Sequence, residues 1–573
     1  MIRTAAAILG CLALCAHAAT IHVNADAPSG GNGSSWEHAY NDLQTALDAA
    51  TTGDQVWVAH GVYSPHNPGD ATGTFSIKSN VSVYGGFKGV ESSFNQRPAD
   101  PLAGPSILDG NGDIYHLVTF DNVTNARIDG FVIIDADAKG APPNRDGAGV
   151  FANNAGATLA NLYIQNCQAD ADGGAIAALG SSTLTVLDST ITQCRAESSG
   201  GAIHTEGPIT VDNVNFTANH ASVGAGLAVF ATGIFTVENC RFEGNDATFG
   251  GGMYTSTDAA STVLIDRCDF IDNSAASSTS SVGSGGAIRF TVNGQRIVRS
   301  CRLLGNTCQD RGGGISVLNA VAGDSLLVEN SFVSGNSAGA SGGGIDDTGT
   351  GDLSVVNTTI TRNSAGNATG RGIYDGGGDL LIANSIVWGN VFSGAGTRLN
   401  NINAFLAVNS TARYSRIGGW DNAFDSSTAT TADDPMFVDL DGPDDLAGTD
   451  DDDPSLSPGS SAIDAANDLY VAPEVLADIN GDPRYADDAG TPDTGVSDGV
   501  NPVADIGAAE FQGTTPNPCI ADLDNNAVLN LDDISLFANA FVAGDLAADM
   551  DDNAILNLDD ISLFANAFVA GCP

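Results

Sequence analysis

The sequence predicts an all-β fold, a right-handed parallel β-helix, and three observations support this. A glycine-rich motif recurs from Val150 to Ile373 with a mean period of about 28 residues. The runs between its copies, such as 184–187, are short and alternate apolar with polar residues, and none has a helical period. The 70 glycines among 573 residues supply many turns. Together these features predict three short strands and three turns in each coil of a solenoid.

The glycine motif marks the same turn in every coil. Its copies follow the pattern Gly-Gly-x-apolar, as in 173–176, and glycine allows the positive φ that a sharp turn requires. Parallel strands lie about 4.8 Å apart, so these coils predict a rod of roughly 40 Å. The closing apolar residues are Val150, Ile176, Ile203, Leu227, Met253, Ile288, Ile315, Ile345 and Ile373.

A second motif, Phe-x-x-Asn or a close variant, keeps the same period. Asparagine tolerates a left-handed turn, and an inward amide can hydrogen-bond to the next coil, so this column predicts a structural ladder. Cys167 and Cys194 replace asparagine in the first two coils. The asparagines are Asn219, Asn245, Asn273, Asn306, Asn336, Asn363 and Asn390.

Cysteines form another column, at Cys240, Cys268 and Cys301. Buried free cysteine acts as a small apolar residue, which suits a stacked interior position. Neighbouring cysteines on adjacent coils could oxidise, but parallel side chains at strand spacing fit disulfide geometry poorly. The sequence therefore favours free thiols and leaves a bridge such as Cys268–Cys301 open.

The chain begins with the features of a secretory signal. Arg3 gives a positive start, an apolar run follows over 5–15, and Ala16 and Ala18 frame a cleavage site. Residues 1–18 are therefore predicted to be a signal peptide. That apolar run is too short to cross a bilayer, and no later run approaches about 18 residues. We expect a protein that is secreted or held at the cell surface.

Residues 19–140 are predicted to form an N-terminal cap and the first coils. The segment 42–50 has the pattern of an amphipathic helix, which would cover an end whose backbone groups are otherwise unpaired. Strands are predicted at 21–26, 55–59, 61–63 and 83–87.

The paired motifs resemble the repeats of polymorphic outer-membrane proteins, within the pectin-lyase-like β-helix superfamily. Gly-Gly-Ala-Ile at 200–203 and Phe-Glu-Gly-Asn at 242–245 carry the resemblance. It implies β-helix repeats over 141–432 and a location at the outer membrane or cell surface. The superfamily contains polysaccharide lyases and glycoside hydrolases, so the resemblance also raises the question of catalysis.

The net charge of −48 is concentrated towards the C-terminus. Residues 433–573 hold 31 acidic residues and one basic residue, Arg484. Recognition of a nucleic-acid backbone needs a basic surface, so nucleic acid is excluded as an expected partner. The excess of Asp favours calcium binding because Ca²⁺ prefers carboxylate oxygens. A solvating surface of a salt-adapted protein is the alternative.

Residues 433–512, which we name the adaptor, are rich in turns and acidic residues. The segments 457–464, 478–484 and 505–510 resemble the choice-of-anchor Q domain. This resemblance implies a cap and adaptor to the rod rather than a reaction. Residues 513–518, rich in Pro and Thr, are predicted to be a linker.

Residues 519–573 contain two copies, 27 residues apart, of an acidic loop followed by an amphipathic helix. Oxygen-bearing side chains at loop positions 1, 3, 5, 9 and 12, with a backbone carbonyl at position 7, are typical of an EF-hand-type calcium loop. Position 6 is Ala527 or Ala554 instead of glycine, which is expected to weaken the affinity. The expected ligands are Asp522, Asp524, Asn526, Val528, Asn530, Asp533, Asp549, Asp551, Asn553, Ile555, Asn557 and Asp560.

These duplicated loop–helix units resemble a type I dockerin. The resemblance implies a small all-α calcium domain and a cohesin-like receptor. Positions 10 and 11, Leu531-Asp532 in the first loop, differ from the Ser or Thr of many dockerins, so another surface receptor is the alternative. Cys519 and Cys572 bracket the module and are expected to form a disulfide worth about 4 kcal/mol.

The residue after each closing apolar position forms an outward row on the rod. His204 and Arg289 are three coils apart, about 14 Å, so no acid–base pair is expected along the row. Mixed aromatic and polar groups fit contact with a linear polysaccharide, and a solvated surface is the alternative. The candidate glycan-binding residues are His204, Tyr254, Arg289, Asp346 and Tyr374.

One acidic cluster is a candidate for chemistry. Asp146 and Asp172 occupy equivalent positions on neighbouring coils, with Asp170 and Arg145 nearby. Stacked carboxylates about 5 Å apart must share a cation or raise a pKa. This spacing also suits the paired carboxylates of a glycosidase. Three roles of this cluster remain as alternatives: binding a structural calcium ion, stabilising the turn, or catalysis.

These features predict a non-catalytic exported rod that binds a polysaccharide or surface glycan. It would be attached or assembled through its calcium-dependent C-terminal module. The alternative is a polysaccharide lyase or glycoside hydrolase of the same fold, brought to a complex by that module.

Overall fold

A computed structural model describes the chain in several ranges. They are residues 18–65, 70–276, 282–291, 294–366, 370–392, 401–403, 407–419 and 424–512, together with 523, 531–543, 548, 556, 561–565 and 568. Most of residues 1–18, the predicted signal peptide, lies outside the described residues.

The described residues form a parallel β-solenoid in which each strand pairs with its equivalent one coil away. The first sheet has 26 described strands in two adjacent runs. The first run consists of Thr20–Val23, Gln55–Ala59, Ser82–Phe87, Ala126–Asp129, Gly156–Ala160, Thr183–Thr192, Ile209–Thr217, Ile234–Glu238, Thr262–Asp266, Gln295–Arg299, Ser325–Glu329, Asp352–Val356, Asp379–Ala383, Asn409–Arg413 and Ser426–Thr428. The second run consists of Gly61–Tyr63, Ser106–Asp109, Phe131–Ile134, Tyr163–Gln165, Arg241–Glu243, Asp269–Ile271, Arg302–Leu304, Phe332–Ser334, Thr359–Thr361, Ile386–Trp388 and Arg416–Ile417.

Two further sides complete each coil. The second sheet stacks twelve strands within the described ranges: Phe75–Ser76, Val118–Asp121, Val150–Asn153, Ile176–Leu179, Ile203–Thr205, Leu227–Val229, Met253–Ser256, Ile288–Thr291, Ile315–Leu318, Ile345–Asp347, Ile373–Asp375 and Ile402–Asn403. The third side of the coil carries two-residue strands in two sheets, which isolated bridges at His220 connect. The first consists of Asp137–Ala138, Gln168–Ala169 and Arg195–Ala196, and the second of Asp246–Ala247, Ser274–Ala275, Thr307–Cys308, Ser337–Ala338, Ser364–Ala365 and Val391–Phe392.

Most coils therefore have four short strands, whereas the sequence predicted three. The extra division lies in the first sheet, where a short corner with one left-handed residue separates the two runs in most coils. Asn161, Asn239 and Asn357 at this corner have φ values of 49°, 52° and 46°. A left-handed residue bends the chain sharply and interrupts the strand. These residues recur once per coil, and sequence reasoning missed them because it treated the alternating run around them as one strand.

The asparagine ladder is confirmed, with one correction. The Asn306 Nδ2 donates to the Asn336 Oδ1 at 2.9 Å and to the Phe270 carbonyl at 2.8 Å, and its neighbours in the column repeat this pattern. The left-handed residue is the one before the asparagine, such as Gly305 with a φ of 62°. Asparagine is therefore selected for its inward amide and not for its backbone conformation.

The two glycines of the motif serve different purposes. The first, such as Gly173 with a φ of 64°, adopts the predicted positive φ. The second lies against the next coil, because a Cβ at Gly174 would lie 2.3 Å from the Gly201 carbonyl oxygen. Close stacking of the coils therefore leaves no room for a side chain at Gly174.

The interior cysteines are free thiols that extend a polar ladder. Cys240 N–H donates to the Cys268 sulfur at 3.4 Å, and Cys268 N–H donates to the Cys301 sulfur at 3.5 Å. The hydroxyl of Ser331 continues the column, accepting from Cys301 N–H at 3.1 Å. Burial raises the pKa of the Cys268 thiol well above its usual value, so it stays protonated. Cys519 and Cys572 lie outside the described residues.

The N-terminal helix forms as predicted, over Leu43–Ala49. The Asp42 side chain caps it by accepting from Thr45 N–H at 2.6 Å. Leu43 and Leu47 are buried in the same hydrophobic cluster as the first coils. The helix thereby covers apolar side chains beside the first strands. Short 3-10 helices occupy Trp36–His38, Phe94–Gln96 and Asp468–Tyr470.

The adaptor packs along the flank of the rod, on the outer side of the first sheet. Its only described strands, Phe437–Asp439 and Asp453–Leu456, pair antiparallel. Basic side chains of the rod pair with its carboxylates, including Arg241 with Asp450 at 2.6 Å. Arg299 with Glu474 and Arg362 with Asp441 are further pairs. The acidic segment is thus held against a surface that supplies the opposite charge.

The described part of residues 519–573 contains a helix over Leu531–Ala543 and helical residues at 561–565. Phe537 and Phe564 stack with ring centroids 4.2 Å apart. Asp533 lies within the first helix, and the other eleven predicted calcium ligands lie outside the described residues. Among the helices that are described, none is long and apolar enough to cross a membrane.

Candidate functional site

Two columns of side chains run side by side along the second sheet, and we name the surface they form the ladder face. The strand column is the predicted outward row, and strand pairing places its members opposite one another: Phe151, Ala177, His204, Ala228, Tyr254, Arg289, Ser316, Asp346 and Tyr374. The turn column consists of the residues before the first glycine of each motif: Asp146, Asp172, Ser199, Val223, Phe249, Ser284, Arg311 and Ser341. Each turn residue precedes its strand residue by five positions.

Aromatic side chains form a run in the middle of the ladder face. The ring of His204 stacks with that of Phe230 at 5.3 Å, and Phe230 contacts Tyr254 at 5.4 Å between ring centroids. Phe230 is 36% exposed, so the run presents an open ring to solvent. The sequence reasoning missed Phe230. It follows Ala228 by two positions, and strand alternation alone could have placed it on this side.

Arg289 continues this run on the next coil. Its guanidinium lies over the Phe249 ring, 4.3 Å from the centroid, and donates to the Ser284 hydroxyl. A cation over an aromatic face is attracted to the ring and keeps a fixed position. The strand column and the turn column therefore interlock here, and Arg289 is held in place before any ligand arrives.

The acidic candidates meet His204 at one end of the aromatic run. The Asp146 Oδ1 accepts from Asp172 N–H at 3.0 Å, and the Asp172 Oδ1 accepts from Ser199 N–H at 3.0 Å and from the Ser199 hydroxyl. The Ser199 Oγ lies 2.8 Å from the His204 Nδ1, which is 3.9 Å from the Asp172 Oδ1. Sequence reasoning assigned Asp172 and His204 to different sites, and the structure brings them together.

Burial controls the protonation of this cluster. It raises the pKa of the Asp146 carboxyl above its ordinary value, and the negative charge of Asp172 acts in the same direction. Burial also lowers the pKa of His204, which is 5% exposed, so its imidazole is neutral at pH 7. The His204 Nε2 is buried without a hydrogen-bond partner.

This arrangement differs from a nucleophilic Ser-His-Asp site. In such a site the serine and the acid lie on opposite ring nitrogens of the histidine. Here Ser199 and Asp172 both approach Nδ1 of His204. The carboxylates of Asp146 and Asp172 each accept a hydrogen bond from a backbone N–H of the next coil. Contacts of this kind stabilise a turn.

The remaining catalytic candidates, Arg145 and Asp170, contact each other across neighbouring turns. The Arg145 Nη2 donates to the Asp170 backbone carbonyl at 2.9 Å. His116 joins this end of the face, since its ring stacks on Phe151 at 4.5 Å. Its Nε2 lies 3.2 Å from the Asn144 Oδ1. Sequence reasoning missed His116, which belongs to a coil before the regular motif begins.

Asp346 is buried, contrary to its expected place in an open row. It accepts from the Ser341 hydroxyl at 2.5 Å, and its other carboxylate oxygen has no hydrogen-bond partner. Burial raises its pKa to about 7. The turn column stands beside the strand column and covers short side chains, so only the longer ones, such as Tyr254 and Tyr374, reach solvent.

Other features with room for a ligand lie away from the ladder face. A cleft of about 440 Å³ between rod and adaptor is lined by Arg267, Arg302 and residues 474–481. A cleft of about 670 Å³ includes Asp109, Asp137 and Arg195. The described residues that could hold a metal ion as a group of three are Asp464, Asp487 and Asp493, all in the adaptor.

One comparison, with a family model, agrees with this architecture. Residues 148–333 match the model of a family described as "Right handed beta helix region". Among solved structures, the crystal structure of pectate lyase Pel9A is similar over 86% of this chain and 96% of that chain, with 14% sequence identity and a TM-score of 0.39. No curated protein sequence matches the chain. The matched region is a right-handed β-helix.

Proposed function

We propose that this protein is an exported scaffold whose ladder face binds a polysaccharide or surface glycan. The observation that carries the proposal is the aromatic run of His204, Phe230 and Tyr254, which follows the rod axis. Sugar rings present C–H faces that pack on aromatic rings, and their hydroxyls bond to polar groups. A run of rings with polar neighbours is therefore complementary to a linear glycan.

The rigidity of the ladder face supports this role. Its side chains are fixed by stacking, by the contact of Arg289 with Phe249 and by hydrogen bonds between coils. A preorganised surface loses little side-chain freedom when a ligand binds, so a larger share of the contact energy appears as affinity.

Export and attachment are part of the same proposal and rest on the sequence. Residues 1–18 would direct secretion, and the loops of 519–573 would bind Ca²⁺ and engage a cohesin-like or other surface receptor. The stacking of Phe537 on Phe564 is consistent with two helices packed face to face. This module would place the rod at the cell surface or in an extracellular complex.

The test is binding of the full chain to a panel of uronans and neutral glycans. Phe230→Ala should weaken the affinity for the bound glycan about tenfold, because truncating an aromatic residue at the centre of a binding surface typically costs more than about 1 kcal/mol. Phe94→Ala is the matched control, since Phe94 is also 36% exposed but lies outside the ladder face. Equal losses in both variants, or none in either, would contradict the proposal.

The closeness of Asp172, Asp146 and His204 favours one alternative, a polysaccharide lyase or glycoside hydrolase. A raised carboxyl pKa beside a neutral histidine can serve general acid–base chemistry. New reducing ends or unsaturated uronate from the same panel, lost in Asp172→Asn, would establish catalysis and replace the binding role.

A further inference from the structure

Neither carboxylate oxygen of Asp464 makes a hydrogen bond of normal geometry, although this adaptor residue is 0% exposed. The backbone N–H of Asp488 lies close enough to act against the rise in its pKa, but it does not neutralise the charge. A buried ionised carboxylate without a partner is costly, so native proteins pair it, protonate it or place it on a metal ion. Its own backbone groups are satisfied. Asp464 N–H donates to the Asp505 Oδ1 at 2.7 Å, and its carbonyl accepts from Thr494 N–H at 2.8 Å.

Two further carboxylates converge on Asp464. One oxygen from each of Asp464, Asp487 and Asp493 lies within 4.8 Å of the others. Three atoms at such separations share a centre no more than about 2.8 Å from each, near the distance of about 2.3–2.6 Å in calcium sites. We name these three residues the adaptor triad.

No basic side chain can neutralise the triad from within the adaptor. Arg484 is the only basic residue of 433–512, and its guanidinium donates to the Asp505 and Gly507 carbonyls and lies 3.8 Å from Glu510. Burial first, and then the negative charges of Asp505, Asp493 and Asp487, raise the pKa of Asp464 to about 7. The surroundings therefore hold unbalanced negative charge around a buried carboxylate.

We propose that the adaptor triad binds a calcium ion. Asp464 supplies a buried ligand, and Asp487 and Asp493 close the site from the exposed loop 487–495. Backbone carbonyls and water would complete a coordination shell of 6–8 oxygens. Ca²⁺ fits better than Mg²⁺ because two of the three ligands lie on an exposed loop, and Mg²⁺ demands near-ideal octahedral geometry.

The site would fasten the loop 487–495 to the core of the adaptor. Asp464 is linked through Asp505 to the buried Arg484 and Glu510, and this network also receives Phe511 N–H. Calcium at the triad would therefore stabilise the segment that follows the rod, independently of the predicted loops in 519–573.

The test is calorimetric titration of the full chain with Ca²⁺ and thermal unfolding with and without the ion. The double variant Asp487→Asn/Asp493→Asn should bind one equivalent fewer than the wild type. Asp482→Asn, which replaces one exposed carboxylate of the same adaptor, is the control and should bind the same number as the wild type. Calcium loops in 519–573 contribute equally to every variant, so they do not affect the difference.

Asp464→Asn provides a second measurement. It should also lose one equivalent of Ca²⁺, yet melt at a higher temperature than the wild type in the absence of calcium at pH 8, because it removes an unpaired buried charge. Unchanged stoichiometry in both triad variants would overturn the proposal. Loss of one equivalent of Ca²⁺ in Asp482→Asn as well would also overturn it.

Discussion

Removing one amide from the middle of the asparagine ladder tests whether the column stabilises the solenoid. Asn306 makes four side-chain hydrogen bonds: it donates to the Phe270 carbonyl and the Asn336 Oδ1, and its Oδ1 accepts from the backbone N–H and Nδ2 of Asn273. In Asn306→Ala, the buried Asn273 N–H loses its acceptor, which costs about 1–3 kcal/mol. The other three bonds contribute about 0.5–1.5 kcal/mol each. Together these contributions predict a destabilisation of about 2.5–7.5 kcal/mol.

Two matched variants make this prediction quantitative. Asn219 stands at the start of the ladder and makes three such bonds, so Asn219→Ala should be less destabilising. Asn409 is exposed and makes one side-chain bond, to Asp379, so Asn409→Ala should cost less than about 1 kcal/mol. Guanidinium unfolding ranks the three variants. Hydrogen exchange at coils 273–336 then reports where the structure opens. If the free energies of unfolding of Asn306→Ala and Asn409→Ala differ by less than about 1 kcal/mol, the ladder does not stabilise the rod.

Two other predictions concern the interior and the glycine turn. The inward carboxyls of Asp347 and Asp375 face one another on adjacent coils, with Arg296 and Asp324 nearby, and burial raises their pKa values to about 7 and about 6. The folded state therefore binds more protons than the unfolded state between about pH 4 and pH 7, and stability falls as the pH rises through that window. Asp375→Asn should flatten this fall and raise the melting temperature at pH 8; a parallel pH profile would contradict it. Gly174→Ala should lower the melting temperature far more than Gly104→Ala, because a Cβ at Gly174 would lie 2.3 Å from the Gly201 carbonyl oxygen, whereas one at Gly104 meets nothing within 4 Å.

The fold was predictable where a conspicuous motif repeats in every coil, and less so elsewhere. The columns through Val150 and Asn219 follow from identical spacing, since a residue repeated once per coil must stack on itself. The predicted strand 55–59 and the helix at 42–50 also form, because capping and alternation are local signals. The corner at Asn161 recurs once per coil, as at Asn239, Asn330, Asn357 and Asn384, but sequence reasoning followed the glycine and Phe-x-x-Asn motifs and missed this column.

The candidate site was less predictable because it depends on distances across the chain. Asp172 and His204 lie 32 positions apart in sequence, and only the offset between turn column and strand column brings them within 3.9 Å. Phe230 belongs to no motif. Asp464 was missed for a related reason: its loop partners, Asp487 and Asp493, have the composition of ordinary exposed turns, and its burial depends on how the adaptor folds.

The placement of the adaptor follows from a change in the outward residues of the first sheet. Tyr163 and Asn215, in early coils, leave this flank polar or partly exposed, whereas Phe332, Thr359 and Ile386 in later coils are buried. A strand that is apolar on both sides must be covered on both sides. The later coils therefore require a partner, and the adaptor provides one: Ala508 N–H donates to the Thr359 hydroxyl at 3.0 Å. Because the adaptor occupies this flank, the ladder face on the second sheet stays open along the same coils.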